Sequence, residues 1–441
     1  MATLGAFCFP GTGHINPMTA LARRLQLRGH EVVLFGIADV EAAVTAAGVR
    51  FCRIGDSDYP TGTLKRLDDR LAQLNGLRAF HFTVDRVRNT ARMILREGPS
   101  ALRDCHVDAV LVDEADMAGN VAEYMRLPYV SVAFFPPLMQ HNRVPPFCFG
   151  WRAGQDGLSR LRNQLGMRLL TLLAAPVLRE VNRQRETWGL KPLARLTDTL
   201  SPLAQVAQMP EALEFDCGER PEVLHYTGPF IDAQQRPAVA FPWERLDGRP
   251  VIYASMGTLQ NGAEKVFRTI AEACVNLDAQ LVISLGGGLS PERLGRLPGD
   301  PIVVGYAPQL QLLKRAAAVI THAGLNTTLE SLTEGVPMVC IPMGNDQPGV
   351  AARVAAKRAG MVIPLGKLSV RRLRGCVQAV LEDSRYGEAA RGLQEKIVGI
   401  DGPGRAADVI EAKLGLARQP SVHPAMAAAK SKSRFLGFAS E

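Results

Sequence analysis

Two clusters of residues in this 441-residue chain carry groups that can do chemistry. The denser one is Tyr306-Ala307-Pro308-Gln309, followed by His322-Ala323-Gly324-Leu325-Asn326-Thr327-Thr328-Leu329-Glu330 and then Asn345-Asp346-Gln347. It sets an imidazole, side-chain amides and two carboxylates around glycine-opened turns. That spacing suits a strand-to-helix unit built to hold a sugar nucleotide, because backbone N–H groups at a helix start receive phosphate oxygens. Any one of His322, Asn326 or Glu330 could instead cap an ordinary βα turn. All three, with Gln309 and Asp346-Gln347 at their offsets, favour the ligand site.

The second cluster is the loop Gly11-Thr12-Gly13-His14-Ile15-Asn16. It opens like a dinucleotide fingerprint, but Asn16 stands where the third glycine should allow close helix packing. The next strand ends in Phe35-Gly36-Ile37 with no acid to grip a ribose, so NAD binding is not expected. His14 follows the carboxyl end of an apolar strand, where sites form in doubly wound sheets. With an ordinary pKa of about 6.5, a histidine there can act as a general base. Alternatively it is a first-turn helix residue bonded to nearby backbone. Asp113, ending Ala109-Val110-Leu111-Val112, leaves another strand on the same side and could orient the imidazole as aspartates do in catalytic triads. Glu114 and Asp116 are rivals for that role, and a helix N-cap is the other reading of Asp113.

The elements that must position these groups form a repeating pattern. Leu4–Phe9 is a short strand, apolar on both faces, as a parallel strand covered by helices should be. A helix carrying Met18, Leu21 and Leu25 follows and ends at Gly29. Glu31–Gly36, Asp108–Val112 and Tyr129–Phe135 are further strands, with a helix near Val40–Ala47. From 150 to 200 the strands give way to a helical segment with Arg152, Arg160, Arg162, Arg168, Arg179, Arg183 and Arg185 among leucines. A turn-rich stretch with Pro229, Pro237, Pro242 and Pro250 follows. The pattern then restarts with Val251–Ser255, the turn Met256-Gly257-Thr258, a helix over Lys265–Val275, and strands at Leu281–Leu285, Ile302–Val304, Ala318–Thr321 and Met338–Ile341. Such alternation predicts an α/β protein of two tandem Rossmann-like domains. The expected divisions are 1–228, a linker at 229–250, 251–418, and a disordered basic tail at 419–441.

Length and composition agree with two globular domains: 47% of residues are hydrophobic and 21% charged, with a net charge of +8. The basic residues are spread rather than blocked, which does not favour a nucleic-acid partner. The eight cysteines include no Cys-x-x-Cys and no Cys/His cluster, so no metal site is indicated and a reducing, cytoplasmic setting fits. Met1-Ala2-Thr3-Leu4-Gly5 enters the first strand without a basic region or cleavage site, which argues against secretion. The apolar run Leu169–Leu178 is far shorter than the about twenty residues of a membrane span. The arginine-leucine segment at 152–185 has two readings, a basic face touching a membrane surface and a solvated helix face, and the second is preferred.

Taken together, Gly11-Thr12-Gly13-His14-Ile15-Asn16-Pro17, Asp113 after its strand, and the donor-type stretch resemble the family 1 UDP-glycosyltransferases of GT-B fold. The bacterial branch containing macrolide and zeaxanthin glycosyltransferases is the most similar. The resemblance covers residues 4–415. It implies two Rossmann-like domains facing a central cleft, and inverting transfer of a sugar from a UDP-sugar, with UDP-glucose favoured, to a hydroxyl of a small lipophilic acceptor. No cofactor or metal is implied. His14 would be the base and Asp113 its partner. Thr258, His322, Gly324 and Asn326 would meet the diphosphate. Tyr306, Ala307 and Gln309 would hold the uridine, Glu330 the ribose, and Asp346 with Gln347 the sugar hydroxyls, with Thr327 a further donor-binding residue.

Tyr306 and Leu325 stand where plant members have tryptophans, which leaves a thymidine diphosphate donor open. Aromatic and apolar residues of the first domain are the expected acceptor wall: Phe80, Phe82, Phe134, Phe135, Met139, Phe147 and Trp151. The same fold also serves UDP-sugar 2-epimerases, which need acids and a second base near the anomeric carbon in place of such a wall. A non-catalytic nucleotide-sugar-binding protein is the other alternative.

Overall fold

A computed structural model describes residues 1–74, 76–138, 142–216, 218, 220–232, 236, 238–258 and 264–416. The expected tail at 419–441 lies outside them. The first domain is built on β1 (Thr3–Phe7), β2 (Glu31–Gly36), β3 (Arg50–Arg53), β4 (Ala109–Asp113), β5 (Tyr129–Ala133), β6 (Gln205–Ala207) and β7 (Leu224–Tyr226). They form one sheet in the order β3-β2-β1-β4-β5-β6-β7. The second domain holds β8 (Val251–Ser255), β9 (Gln280–Ser284), β10 (Ile302–Val304), β11 (Ala316–Thr321), β12 (Met338–Cys340) and β13 (Gly360–Val362), ordered β10-β9-β8-β11-β12-β13. All recorded strand pairs are parallel.

Helices cover both faces of each sheet, so central strands are buried throughout. In β4 every residue from Ala109 to Asp113 is buried, and β8 is buried along its whole length. This is why both sequences are continuous apolar runs rather than alternating ones. In each sheet the chain reverses its direction of winding beside the first strand, at β1/β4 and at β8/β11. Such switch points open a crevice at the carboxyl ends of the strands. His14 and Asp113 follow or end β1 and β4; Gly257 and His322 follow β8 and β11.

Short strands β3, β6, β7 and β13 carry too little local pattern to stand out in the sequence, and the amphipathic 29-residue helix Gly76–Asp104 was not foreseen. The chain passes between domains from Phe230, in the first core, to Phe241, in the second. The expected second domain, 251–418, needs correction at its end. The helix Gly402–Leu414 returns to the first domain, placing Ala406, Ala407 and Ile410 in its core against the helix Thr12–Leu27. Arg28 fixes it by bonds to Asp408 and Glu411, both 2.8 Å. In the other direction, Met209 and Leu213 belong to the second core.

A buried charge pair joins the domains more firmly. Arg353, in the helix Gln347–Ala356, donates to Glu214 at 2.8 and 3.2 Å, and Tyr226 of β7 donates to the same carboxylate at 3.0 Å. Neither charged side chain is more than 1% exposed. Removing one partner of such a pair costs about 3–5 kcal/mol, because the other charge is left buried alone.

Candidate functional site

β1 delivers its loop to the helix Thr12–Leu27, and His14 sits in that helix's first turn. Its Nδ1 lies 2.6 Å from Asp113 Oδ2. Asp113 is fully buried at the end of β4 and accepts two further bonds, from the Phe9 N–H at 3.0 Å and the Ala115 N–H at 2.9 Å. With the Nδ1 proton directed at the carboxylate, Nε2 is left as the acceptor. Phe9, Phe134 and Phe135 surround the imidazole at centroid distances of 5.4, 5.7 and 6.2 Å. Burial by these rings pulls the His14 pKa down. The charge and hydrogen bond of Asp113, with the charge of Asp346, outweigh it, so the net shift is upward.

The rivals are placed differently. Glu114 accepts from the Leu138 N–H at 2.9 Å and from the Gln205 side chain, and burial raises its pKa to about 8. Asp116 accepts from the Ala118 N–H at 2.8 Å, and burial raises it to about 7. Of the three acids, Asp113 alone bonds His14.

Beside His14 opens an apolar cavity. Phe80, Phe135 and Phe147 line it, with Phe9, Leu138 and Leu170 and the polar groups Thr83, Glu114, Asn345 and Asp346. The expected wall is therefore corrected at three positions. Phe82, two residues beyond Phe80 on a helix, points to the far side and lies under the Arg70 guanidinium at 5.3 Å. Phe134 lies beneath His14 and against Phe230, while its extended-chain neighbour Phe135 faces the cavity. Trp151 stacks on Phe149 at 4.2 Å, with Arg162 over its ring. Met139 lies outside the described residues. Sequence reasoning missed Thr83, Val84 and Val87, which follow Phe80 at helical offsets and line the same cavity.

Across the cleft, the His322 ring is wedged between two glycines. A Cβ on Gly257 would lie 2.5 Å from its Cε1, and one on Gly324 would lie 2.5 Å from its Nε2. Burial drives its pKa down to about 4, so the imidazole is neutral. Gly324 starts the helix Leu325–Thr333. From that helix, Asn326 donates its amide to the Gly13 carbonyl at 2.9 Å and accepts from Gln208 at 2.9 Å. Glu330, 2% exposed, accepts from Gln309 at 2.6 Å and is paired with Arg236. Gln309 also reaches Thr327 Oγ1 at 3.4 Å and accepts from the Tyr253 hydroxyl at 3.0 Å.

Tyr306 is 58% exposed and lies over Gly287, where a Cβ would come within 2.1 Å of its hydroxyl. With Thr258, Gly286 and Gly288 it lines a crevice closed from the other domain by Leu64, Lys65 and Asp68. Ala307 is partly buried against the second core. Asp346 borders the apolar cavity beside His14, and burial raises its pKa to about 6 against the opposing pull of His14. Gln347 turns its carbonyl inward to the Met343 and Gly344 N–H groups at 2.8 and 3.1 Å, so that oxygen shapes the loop rather than meeting a sugar. Gln208 and Arg236 were not foreseen; neither belongs to a recognisable local pattern.

Residues 237–397 match the family model described as UDP-glucoronosyl and UDP-glucosyl transferase, and residues 9–95 match the glycosyltransferase family 28 N-terminal domain. A zeaxanthin glucosyltransferase of Pseudescherichia vulneris is 31% identical over 365 residues, spanning 80% of this chain and 83% of its own. The chain belongs to the UDP-glycosyltransferase family. A second zeaxanthin glucosyltransferase, from Pantoea ananas, is 29% identical and covers 93% of this chain and 96% of its own. The solved glycosyltransferase of kitacinnamycin superposes with a TM-score of 0.72 at 24% identity, over 94% of this chain and 99% of that one, which shows the GT-B fold. As a glycosyltransferase of this fold, the protein is an enzyme with an apolar cavity on one side of its cleft and a glycine-opened helix start on the other. His14 stands where they meet. No helix among the described residues is long and apolar enough to cross a membrane.

Proposed function

We propose that this glycosyltransferase moves a sugar, glucose being the favoured one, from a UDP-sugar to a hydroxyl of a small lipophilic acceptor such as a polyphenol, macrolide or carotenoid, with inversion at the anomeric carbon. The 2.6 Å contact between His14 and Asp113, facing the apolar cavity, carries this reading. His14 Nε2 takes the acceptor's O–H proton as that oxygen forms its bond to the anomeric carbon. The bond from that carbon to the diphosphate oxygen breaks on the opposite face, and UDP leaves with the electron pair. Asp113 holds the ring and balances the imidazolium that results.

The leaving diphosphate gains negative charge, and preorganised donors lower the barrier. The neutral His322, the N–H groups following Gly324 and the Asn326 amide are those donors. Glu330, Gln309 and Thr327 form the polar face offered to the ribose and base, with Tyr306 at the rim. Asp346 is offered to the sugar hydroxyls. The apolar cavity suits a hydrophobic acceptor rather than a second base, which supports transfer over epimerisation.

The test is turnover of a hydroxyl-bearing acceptor library with UDP-glucose, other UDP-sugars and a thymidine diphosphate sugar, with product stereochemistry read by NMR. Inverted glycosides from UDP-glucose are expected. Transfer by His14→Ala at nearly the wild-type rate would overturn the mechanism.

A further inference from the structure

Among the described residues twelve large apolar side chains are exposed, and five of them lie on one helix, Gly157–Leu173. They are Leu158, Leu161, Leu165, Leu169 and Leu172, each between 46% and 80% exposed. Their spacing of three or four residues places them on a single stripe. The opposite face is the one that packs: Asn163, Gly166 and Leu170 are buried, and Leu170 lines the apolar cavity beside His14. An exposed stripe of this length is unusual on a monomeric protein and marks a docking surface.

The charge beside the stripe says what it docks on. The helix carries no acidic residue; Arg162 and exposed Arg168 flank the stripe, and exposed Arg160 stands farther round the helix. The next helix, Ala175–Thr187, adds exposed Arg179. A second copy of this helix packed here would add arginines and no acidic residue to meet them. A bilayer with anionic headgroups meets both requirements at once, taking the leucines into its acyl boundary and the guanidiniums at its surface.

We infer that the leucine face of the helix Gly157–Leu173 seats this enzyme on anionic lipid surfaces, holding the acceptor cavity next to the bilayer. Docking of this kind is the other of the two readings open for this segment. The orientation gives an apolar acceptor dissolved in the membrane a short path to Leu170 and the cavity. That purpose rests on the proposed lipophilic acceptor, whereas the docking does not.

The experiment is flotation of the full chain with vesicles of phosphatidylcholine alone and with added phosphatidylglycerol. Binding to the anionic vesicles, weakened by salt, is expected, with little on the neutral ones. Leu161→Ser/Leu165→Ser/Leu169→Ser should cut the bound fraction about tenfold or more, and Arg160→Gln/Arg168→Gln should weaken binding to the anionic vesicles alone. Circular dichroism and turnover of a water-soluble acceptor keep the variants comparable, and failure of that turnover assay in the wild type bears on the proposed reaction alone. Three results would overturn the inference: no flotation on either vesicle, triple-variant binding equal to wild type, or a wild-type dimer that the triple variant converts to monomer.

Discussion

The Asn326 side chain donates to the backbone carbonyl of Gly13 at 2.9 Å, tying the helix Leu325–Thr333 to the residue before His14. Gln208 completes the link, giving its amide N–H groups to Asn326 Oδ1 at 2.9 Å and to the Phe134 carbonyl at 3.1 Å. These two side chains thus join the helix Leu325–Thr333, the turn before His14 and the backbone of Phe134 across the cleft.

Asn326→Ala should therefore disturb both halves of the reaction. We expect the KM for UDP-sugar to rise and kcat to fall, each on the order of tenfold, since the loss removes a ligand donor and a positioning bond. Gln208→Leu, which leaves the Asn326 amide in place, should lower kcat with a smaller change in donor KM. Steady-state kinetics with varied donor separate the two; equal donor KM changes in both variants would show that the Asn326 amide does not serve the donor independently of Gln208.

The pH dependence has a definite sign. His14 must be neutral to accept a proton, and its pKa is raised because Asp113 and Asp346 outweigh burial. Activity should then fall with falling pH along a limb centred above 6.5. Stability moves the other way: the folded state favours protonated His14, so this contribution is present below 6.5 and is lost as pH rises through the folded pKa. Asp113→Asn removes the charge and should shift the activity limb to lower pH, with the plateau reduced on the order of 10²–10⁴-fold. A wild-type limb at or below 6.5 in kcat/KM would contradict this account.

Gly257 and Gly324 separate sterics from backbone strain around His322. Gly257 has φ +74°, so Gly257→Ala combines a clash with the ring and an unfavourable backbone. At Gly324, φ is −62° and the clash acts alone. Both alanine variants should weaken UDP binding by about tenfold or more, as measured by calorimetry, with Gly257→Ala also lowering thermal stability. Unchanged UDP affinity in both would remove His322 from the donor site.

Glu114 supplies a stability signature independent of turnover. Burial lifts its pKa from 4.5 to about 8 despite the bonds from Leu138 and Gln205. Between pH 4.5 and about 8 the folded state keeps a proton that the unfolded state releases, so stability falls as pH rises through that window. Glu114→Gln should flatten the dependence of Tm on pH there, followed by circular dichroism. An undiminished slope would mean that other groups, Asp116 among them, account for it.

The sequence alone determined the parts whose signal is local. Strands buried on both faces, such as Ala109–Asp113 and Val251–Ser255, are continuous apolar runs, and a residue just past their carboxyl ends must face the crevice. That brought out His14, Asp113, His322 and Asn326 from residue order. Contacts between distant segments were decided only by tertiary structure. Which of three neighbouring acids meets His14 depends on how β1 and β4 pair, with about a hundred residues between them in the chain. Whether Phe134 or Phe135 faces the cavity depends on the phase of a segment leaving its strand. The return of the helix Gly402–Leu414 to the first core depends on an apolar face fitting a surface nearly four hundred residues earlier. The leucine stripe is the reverse case. Its periodicity is plain in the sequence, yet only the packed structure shows that Leu170 turns inward while its neighbours are left facing out.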